Sequence, residues 1–229
     1  MNPELKTRRF GVVIPAYQAS ASLSHVLEDV SRFLVTEKIL VVDDGSTDST
    51  FEIASRLGVS CVRHETNRGK GTALMTGMLD ARQRGWEWAI TLDADGQHSL
   101  EDLGKFLDAR PGSQTGILVG TRPRAGTGMP LHRRFSNAFT TWLVSLMAGG
   151  PVFDAQSGFR AYRLDLLDAY PREGRFEWEA QSLILCRRRR FEVEAIPIRT
   201  VYSGQGSHMR LGRDTLRFLR MYGKLVWTR

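Results

Sequence analysis

Short apolar runs alternate with helical patterns through the first half of the chain, and most of these runs end in a polar loop. Phe10-Gly11-Val12-Val13-Ile14 reads as a buried strand, followed at helical spacing by Leu23, Val26, Leu27, Val30 and Phe33 or Leu34. Ile39-Leu40-Val41-Val42 is the next strand, and a helix runs from about Ser49 to Leu57. Val59 to Val62 forms a third strand, and Lys70 to Arg84 a helix with Leu74 and Met78 inward. Trp88 to Leu92 is the fourth strand, Leu100 to Leu107 a helix behind Ser99, and Gly116 to Gly120 a fifth strand. Strands that are apolar along their whole length and separated by helices predict an α/β fold with a mostly parallel sheet covered on both faces. After residue 120 the pattern loosens, leaving a helix from Leu131 to Met147 and another closed by Arg187 to Arg190. No linker or internal repeat interrupts the chain, so a single domain is expected.

With 41% hydrophobic and 25% charged residues, the 229-residue chain has the make-up of a soluble globular protein and can bury a full core. No apolar run approaches the roughly 18–20 residues that a spanning helix needs. Met1 to Arg9 carries no apolar stretch of a secretory signal. Cys61 and Cys186 lack metal-ligand or redox spacing and read as small buried residues of a reducing compartment. A cytoplasmic protein is the expectation. The formal net charge of +7 calls for an anionic partner: nucleic acid, a phosphorylated substrate or an acidic membrane face.

In open parallel sheets ligands bind beyond the strands' carboxyl ends. The loops predicted there are Pro15-Ala16-Tyr17, Asp43-Asp44-Gly45, Asn67-Arg68-Gly69-Lys70-Gly71 and Asp93-Ala94-Asp95. Residues i and i+2 of an extended strand point to one side, so Asp93 and Asp95 can converge just past the fourth strand. Two carboxylates there repel each other unless something positive lies between them, and Mg²⁺ or Mn²⁺ suits oxygen ligands of this kind. A polar turn explains a bare Asp-x-Asp as well. An aspartyl-phosphate nucleophile is expected on a first strand, not a fourth, and a lone His98 reads as a surface residue.

The other loops are weighed in the same way. Asp43 and Asp44 can accept hydrogen bonds from a base or ribose, with neighbouring N–H groups left for phosphate; Thr47 or Asp48 can equally cap the following helix. Asn67 to Thr72 lacks the leading glycine of a P-loop, Arg63 standing in its place, yet a Gly-Lys-Gly turn opening a helix suits an anion. No Gly-x-Gly-x-x-Gly follows the first strand, which argues against a dinucleotide site. Asp154 to Tyr162 joins an acid, a turn, a base and aromatics, and a turn into a strand explains it equally well. Arg187 to Arg190 reads as a solvated helix end, and aromatics are not interleaved with bases, so no nucleic-acid partner is expected. Arg213, Arg217, Arg220 and Lys224 share one stripe of a basic amphipathic helix, as on proteins that lie on anionic membranes; packing on the sheet is the equal alternative. The helix carrying Phe135, Phe139, Trp142, Leu143, Leu146 and Met147 invites the same two readings.

Taken together, these residues resemble family 2 glycosyltransferases, in particular the dolichyl-phosphate mannosyltransferase-like branch. Val12 to Tyr17, Val41 to Asp48, Asn67 to Gly71 with Ala73-Leu74, Asp93 to Gln97 and Asp154 to Arg160 follow that family's order and approximate spacing. The resemblance covers about residues 10–220 and implies a GT-A fold, a Rossmann-like sheet that binds a nucleotide-sugar. It further implies a nucleotide-sugar-binding half over about 8–120, an acceptor-binding half over about 121–210 and a C-terminal basic helix over about 211–229. Pro15, Ala16 and Tyr17 would border the nucleotide, Asp43 or Asp44 would contact base or ribose, and Lys70 would lie near the nucleotide. Asp93, Asp95 and Gln97 would serve a Mg²⁺ or Mn²⁺ ion. Arg122, Arg134 and Ser136 match positions near the acceptor phosphate or leaving diphosphate, and Arg210 is a further candidate for that duty. Where the family often has an acid soon after the tyrosine, this chain has Gln18-Ala19. With no spanning helix, the resemblance implies a peripheral enzyme on the cytoplasmic membrane face.

The expected reaction moves a hexose, with inversion, from a GDP- or UDP-linked donor to a polyprenyl phosphate. A phosphate acceptor is already ionised and needs no strong base. A hydroxyl acceptor on a glycan, lipid or small molecule needs one, with Asp154 the first choice and Glu177 or Glu179 the second. A non-catalytic nucleotide-binding module is the rival from another class.

Overall fold

The computed structural model describes residues 9–96, 99–122, 131–175 and 177–199, with the backbone alone at Leu100 and 131–136. In chain order the elements are β1 (Phe10–Ala16), α1 (Leu23–Val30), β2 (Ile39–Asp43), α2 (Thr50–Arg56), β3 (Ser60–Arg63), α3 (Lys70–Gln83) and β4 (Trp88–Thr91). There follow α4 (Leu100–Leu107), β5 (Thr115–Thr121), α5 (Leu131–Ala148), β6 (Arg160–Arg163), α6 (Glu177–Arg188) and β7 (Glu192–Pro197). Short 3₁₀ segments occupy Thr36–Lys38 and Leu164–Ala169.

The strands form one sheet in the order β3-β2-β1-β4-β6-β5-β7. β3, β2, β1 and β4 pair in parallel, as do β5 and β7, while β6 runs antiparallel to both its neighbours. The chain steps outward from β1 to β3, then returns through α3 to lay β4 on the other side of β1. That reversal opens a crevice at the carboxyl ends of β1 and β4, where open α/β sheets bind ligands.

Strand side chains alternate between two cores, as a period of two dictates. Val12, Ile14, Val41 and Ile90 pack with Leu23, Val26 and Leu27 of α1, Ile53 of α2, and Leu103 and Phe106 of α4. Val13, Leu40, Val42 and Ala89 pack with Leu74 and Met78 of α3, Val144 of α5, and Leu183 and Ile184 of α6. Helices therefore cover both faces, as the apolar strands predict. Gly77 lets α3 approach the sheet, because a Cβ there would lie 2.4 Å from Val13 Cγ1.

β7 escaped the sequence, and β6 was read only as a turn leading into a strand after Asp154. β6 opens with Arg160, which is wholly buried and so defeats a hydrophobicity pattern. Its guanidinium donates to the carbonyls of Ser157, Ala155 and Glu179 and to the Tyr162 hydroxyl, which is what makes a buried cation tolerable. β7 is an edge strand paired only with β5, and its Glu-Val-Glu-Ala-Ile-Pro sequence is largely exposed. α1 ends at Val30, short of the expected Phe33 or Leu34; a turn through Phe33, whose N–H donates to Val30 O, still buries Leu34.

Candidate active site

The crevice gathers the ends of five strands. Pro15 and Ala16 close β1, in register with Val42 and Asp43 of β2, and Tyr17 stands exposed just beyond. Asp93 to Asp95 follow β4, and Arg122 follows β5. Because β6 is antiparallel, the loop that leads into it, Asp154 to Phe159, comes to the same edge of the sheet.

Lys70, at the start of α3, lies at the centre. Its Nζ is 2.6 Å from Asp93 Oδ1 and 3.1 Å from Glu179 Oε2 of α6. Burial disfavours the ammonium, but the Asp93 and Glu179 carboxylates outweigh it and raise the Lys70 pKa. The positive charge beside Asp93 is thus supplied in part by the chain itself, which the sequence reading assigned to a metal alone. Gly158 packs onto this pair: a Cβ there would sit 2.6 Å from Asp93 Oδ2 and 3.1 Å from Lys70 Nζ. Thr91 Oγ1 donates to Gly158 O, fixing the loop against β4.

Asp95 is exposed at the turn, which is anchored where the Ser22 hydroxyl donates to Ala94 O. Asp93 and Asp95 are hard oxygen donors, and among the described residues no group of three or more His, Cys, Asp or Glu converges as a closed metal cage. Such a donor set fits Mg²⁺ or Mn²⁺ held by one or two carboxylates and completed by substrate phosphate and water.

The Asp43-Asp44 pair is turned inward. Asp43 Oδ1 accepts from Ser46 N, and its buried Oδ2 lies 3.2 Å from Arg63 Nε, near enough to pair but aligned for no hydrogen bond. Asp44 accepts from His64 Nδ1 at 2.7 Å, Arg68 N at 2.9 Å and Gly69 N at 2.7 Å. The N–H groups of Arg68 and Gly69 are therefore committed to Asp44. Gly71 has a packing reason, since a Cβ would lie 2.3 Å from Trp178 Cβ. The N-cap position of α2 falls on Ser49, with no side-chain cap bond, and Asp48 just before it accepts from Thr50 N and ties Ser20 N to the start of the helix. Burial works against its charge, yet the donors Thr50 and Ser20 prevail and bring its carboxyl down to about 2.

Arg122 and Asp154 hold each other through two bonds, Nε to Oδ2 at 2.6 Å and Nη2 to Oδ1 at 2.7 Å. Arg134 and Ser136 belong to α5 by backbone, but their side chains lie outside the description. Gln97, His98, Arg210 and the proposed helix over 211–229 also lie outside the described residues. The structure thus unites Lys70, Asp93 and the 154–160 loop, while Asp44 is bonded to His64, Arg68 and Gly69. Sequence reasoning missed His64 and the pairing of Glu179 with Lys70. Nothing local marks either: Lys70 and Glu179 are 109 positions apart. Burial holds the Cys186 thiol up at about 12, in keeping with a structural role.

Comparison with known proteins gives a consistent picture. The family model described as "Glycosyl transferase family 2" matches residues 11–170. A UDP-N-acetylglucosamine–dolichyl-phosphate N-acetylglucosaminyltransferase of Methanococcus voltae is 29% identical over 228 residues, covering 88% of this chain and 90% of that protein. An undecaprenyl-phosphate mannosyltransferase of Micrococcus luteus is 31% identical over 166 residues, covering 69% and 67%. Among solved structures, glucosyl-3-phosphoglycerate synthase from Mycobacterium tuberculosis in complex with Mg²⁺ and UDP is similar with a TM-score of 0.75 at 17% identity, covering 98% of this chain and 83% of that one. At that identity the likeness speaks for the fold alone, which is GT-A.

Proposed function

The chain belongs to glycosyl transferase family 2, and on that footing we propose that it moves a hexose from a nucleotide-sugar to a polyprenyl phosphate, inverting the anomeric carbon. The observation that carries this reading is the Lys70-Asp93-Glu179 cluster at the crevice, packed against Gly158. It puts one buried cation and two acidic groups where the strand order reverses, the place at which open α/β sheets bind ligands. The curated relatives named for dolichyl and undecaprenyl phosphates support the acceptor class.

In the proposed reaction an acceptor phosphate oxygen attacks the anomeric carbon as the bond to the nucleoside diphosphate breaks. The electron pair leaves with the diphosphate, and no proton has to be removed. Residues of about 8–120 bind the donor and those of about 121–210 the acceptor. Pro15, Ala16 and Tyr17 border the nucleotide, and Lys70 places its ammonium beside the diphosphate. Arg122, held by Asp154, would meet the second anion, a duty that the family resemblance also gives to Arg134, Ser136 and Arg210. Asp93, Asp95 and Gln97 would hold Mg²⁺ or Mn²⁺, which when bound neutralises charge on the departing diphosphate. Bringing two anions into line is the protein's main contribution.

A hydroxyl acceptor would need a general base. Both oxygens of Asp154 are engaged by Arg122, which favours the phosphate acceptor over that alternative. The test is incubation with a panel of GDP- and UDP-sugars, a short-chain polyprenyl phosphate and Mn²⁺ or Mg²⁺, read by mass spectrometry. A hexosyl phosphopolyprenol is the expected product. Transfer solely to hydroxyl acceptors, or to none, contradicts the proposal.

A further inference from the structure

Asp93 meets two cations with one carboxylate. It is an expected ligand of Mg²⁺ or Mn²⁺, yet its Oδ1 lies 2.6 Å from the Lys70 ammonium. The Lys70 and Asp93 side chains are only 16% and 33% exposed, so little water screens charges between them. An ammonium and a divalent cation against the same carboxylate repel each other strongly under those conditions. Lys70 must therefore yield Asp93 before a metal can take it.

Glu179 is placed to receive the ammonium. Its Oε2 already lies 3.1 Å from Lys70 Nζ, whereas its buried Oε1 has no hydrogen-bond partner among the described residues. A buried acceptor left unused calls for an explanation. An ammonium carries three donors, so Lys70 can bond both oxygens of Glu179 once it leaves Asp93. Glu179 itself is held where it stands: its carbonyl accepts from Ser182 Oγ at 2.9 Å and from the buried Arg160 guanidinium. Gly158 closes the other side, where a Cβ would lie 3.1 Å from Lys70 Nζ. Lys70 thus sits between two carboxylates, one of them half used.

We propose that Lys70 guards Asp93 while no donor is bound and steps onto both oxygens of Glu179 when a nucleoside diphosphate arrives with the metal. Metal and nucleotide then bind as a coupled pair, and Glu179 is a positioning residue that acts through Lys70. This rests on the nucleotide-sugar reading and deepens it. A lone ion meets an occupied carboxylate. The diphosphate brings further oxygen ligands for the ion, and its negative charge stays near the displaced ammonium. Such coupling is reciprocal: the factor by which the diphosphate tightens the metal equals the factor by which the metal tightens the diphosphate.

The test is Mn²⁺ binding to the full chain, read from the electron paramagnetic resonance signal of the free ion, without nucleotide and with saturating UDP or GDP. Wild type is expected to bind Mn²⁺ alone weakly, and at least tenfold more tightly with one of the two nucleotides. K70M is expected to bind Mn²⁺ alone at least tenfold more tightly than wild type, because Asp93 is then unguarded. E179Q should move the other way, binding Mn²⁺ at least fivefold more weakly in the presence of nucleotide, and E179D should recover part of that loss. The deciding comparison is E179Q in the K70M background. A residue acting through Lys70 has no further effect there, whereas a carboxylate acting on the ion through space weakens binding in both backgrounds. Equal losses in the two backgrounds overturn the exchange. Melting curves establish that each variant is folded at the assay temperature. Should K70M alone be unfolded, K70M/E179Q takes its place and should also bind Mn²⁺ alone at least tenfold more tightly than wild type. If neither nucleotide binds wild type under any condition, the nucleotide-sugar reading fails and the exchange with it. Metal-dependent nucleotide binding by wild type, with Mn²⁺ affinity unchanged on removal of Lys70, overturns the exchange alone.

Discussion

Lys70 Nζ lies 2.6 Å from Asp93 Oδ1, while its second partner, Glu179, is largely buried behind it. Removing one member of such a cluster leaves its partners charged and poorly solvated, a loss of about 3–5 kcal/mol in a fully buried pair. Lys70→Met is therefore expected to lower stability by about 2–4 kcal/mol in urea denaturation, the partial exposure of Asp93 reducing the figure. K70M/E179Q should recover part of that stability but none of the transfer activity. Full recovery of activity in the double variant would contradict a role for the ammonium at the diphosphate.

Gly158→Ala tests the close approach without a backbone conflict. The added methyl would press on Asp93 Oδ2 and Lys70 Nζ. Overpacking of this kind costs about 1–3 kcal/mol, yet transfer should fall at least a hundredfold because the pair is displaced, roughly the 2.7 kcal/mol of two factors of ten. The kinetics and the melting curve together check it. A variant with normal turnover would show that the position of Asp93 has slack.

Arg122 and Asp154 separate the two acceptor classes. With a phosphate acceptor, Asp154→Asn should keep turnover within about tenfold, since an amide oxygen still receives one Arg122 bond. Arg122→Ala should be the more damaging change, with KM for the acceptor rising. The reverse ranking would favour Asp154 as an essential base.

The Asp48 carboxyl stands at about 2 in the folded chain against an ordinary value of 3.8. A depressed folded pKa contributes stability that is present above the unfolded value and lost as pH falls through the folded one. Asp48→Asn should thus be less stable than wild type at neutral pH. The gap should narrow from about pH 4 downward and close near pH 2. Denaturation midpoints across that range give the check, and a gap independent of pH would assign the effect to the shape of the turn and not to its charge.

The parallel half of the sheet was legible because each of its strands pairs an apolar run with a loop at its carboxyl end. Asp93, Asp95 and Lys70 could be placed at that edge from this order, whereas the 154–160 motif came only from the family resemblance. The inward use of Asp44 could not, since its partners His64, Arg68 and Gly69 are set by how β3 and α3 return to the sheet. The burial of Arg160 at the head of β6 was hidden too: the bonds that allow it come from the carbonyls of the loop just before it and from Glu179 O on α6. Local pattern reads exposure along one element, whereas these groups are neutralised across several.

Calorimetric titration with UDP and GDP, with and without Mn²⁺, on wild type and Asp95→Ala is the most direct test of the acidic turn after β4. Wild type should bind one of the two nucleotides with a strong dependence on Mn²⁺, and Asp95→Ala should lose that dependence while keeping its fold. Equal affinity of the wild type in its four conditions would contradict the account.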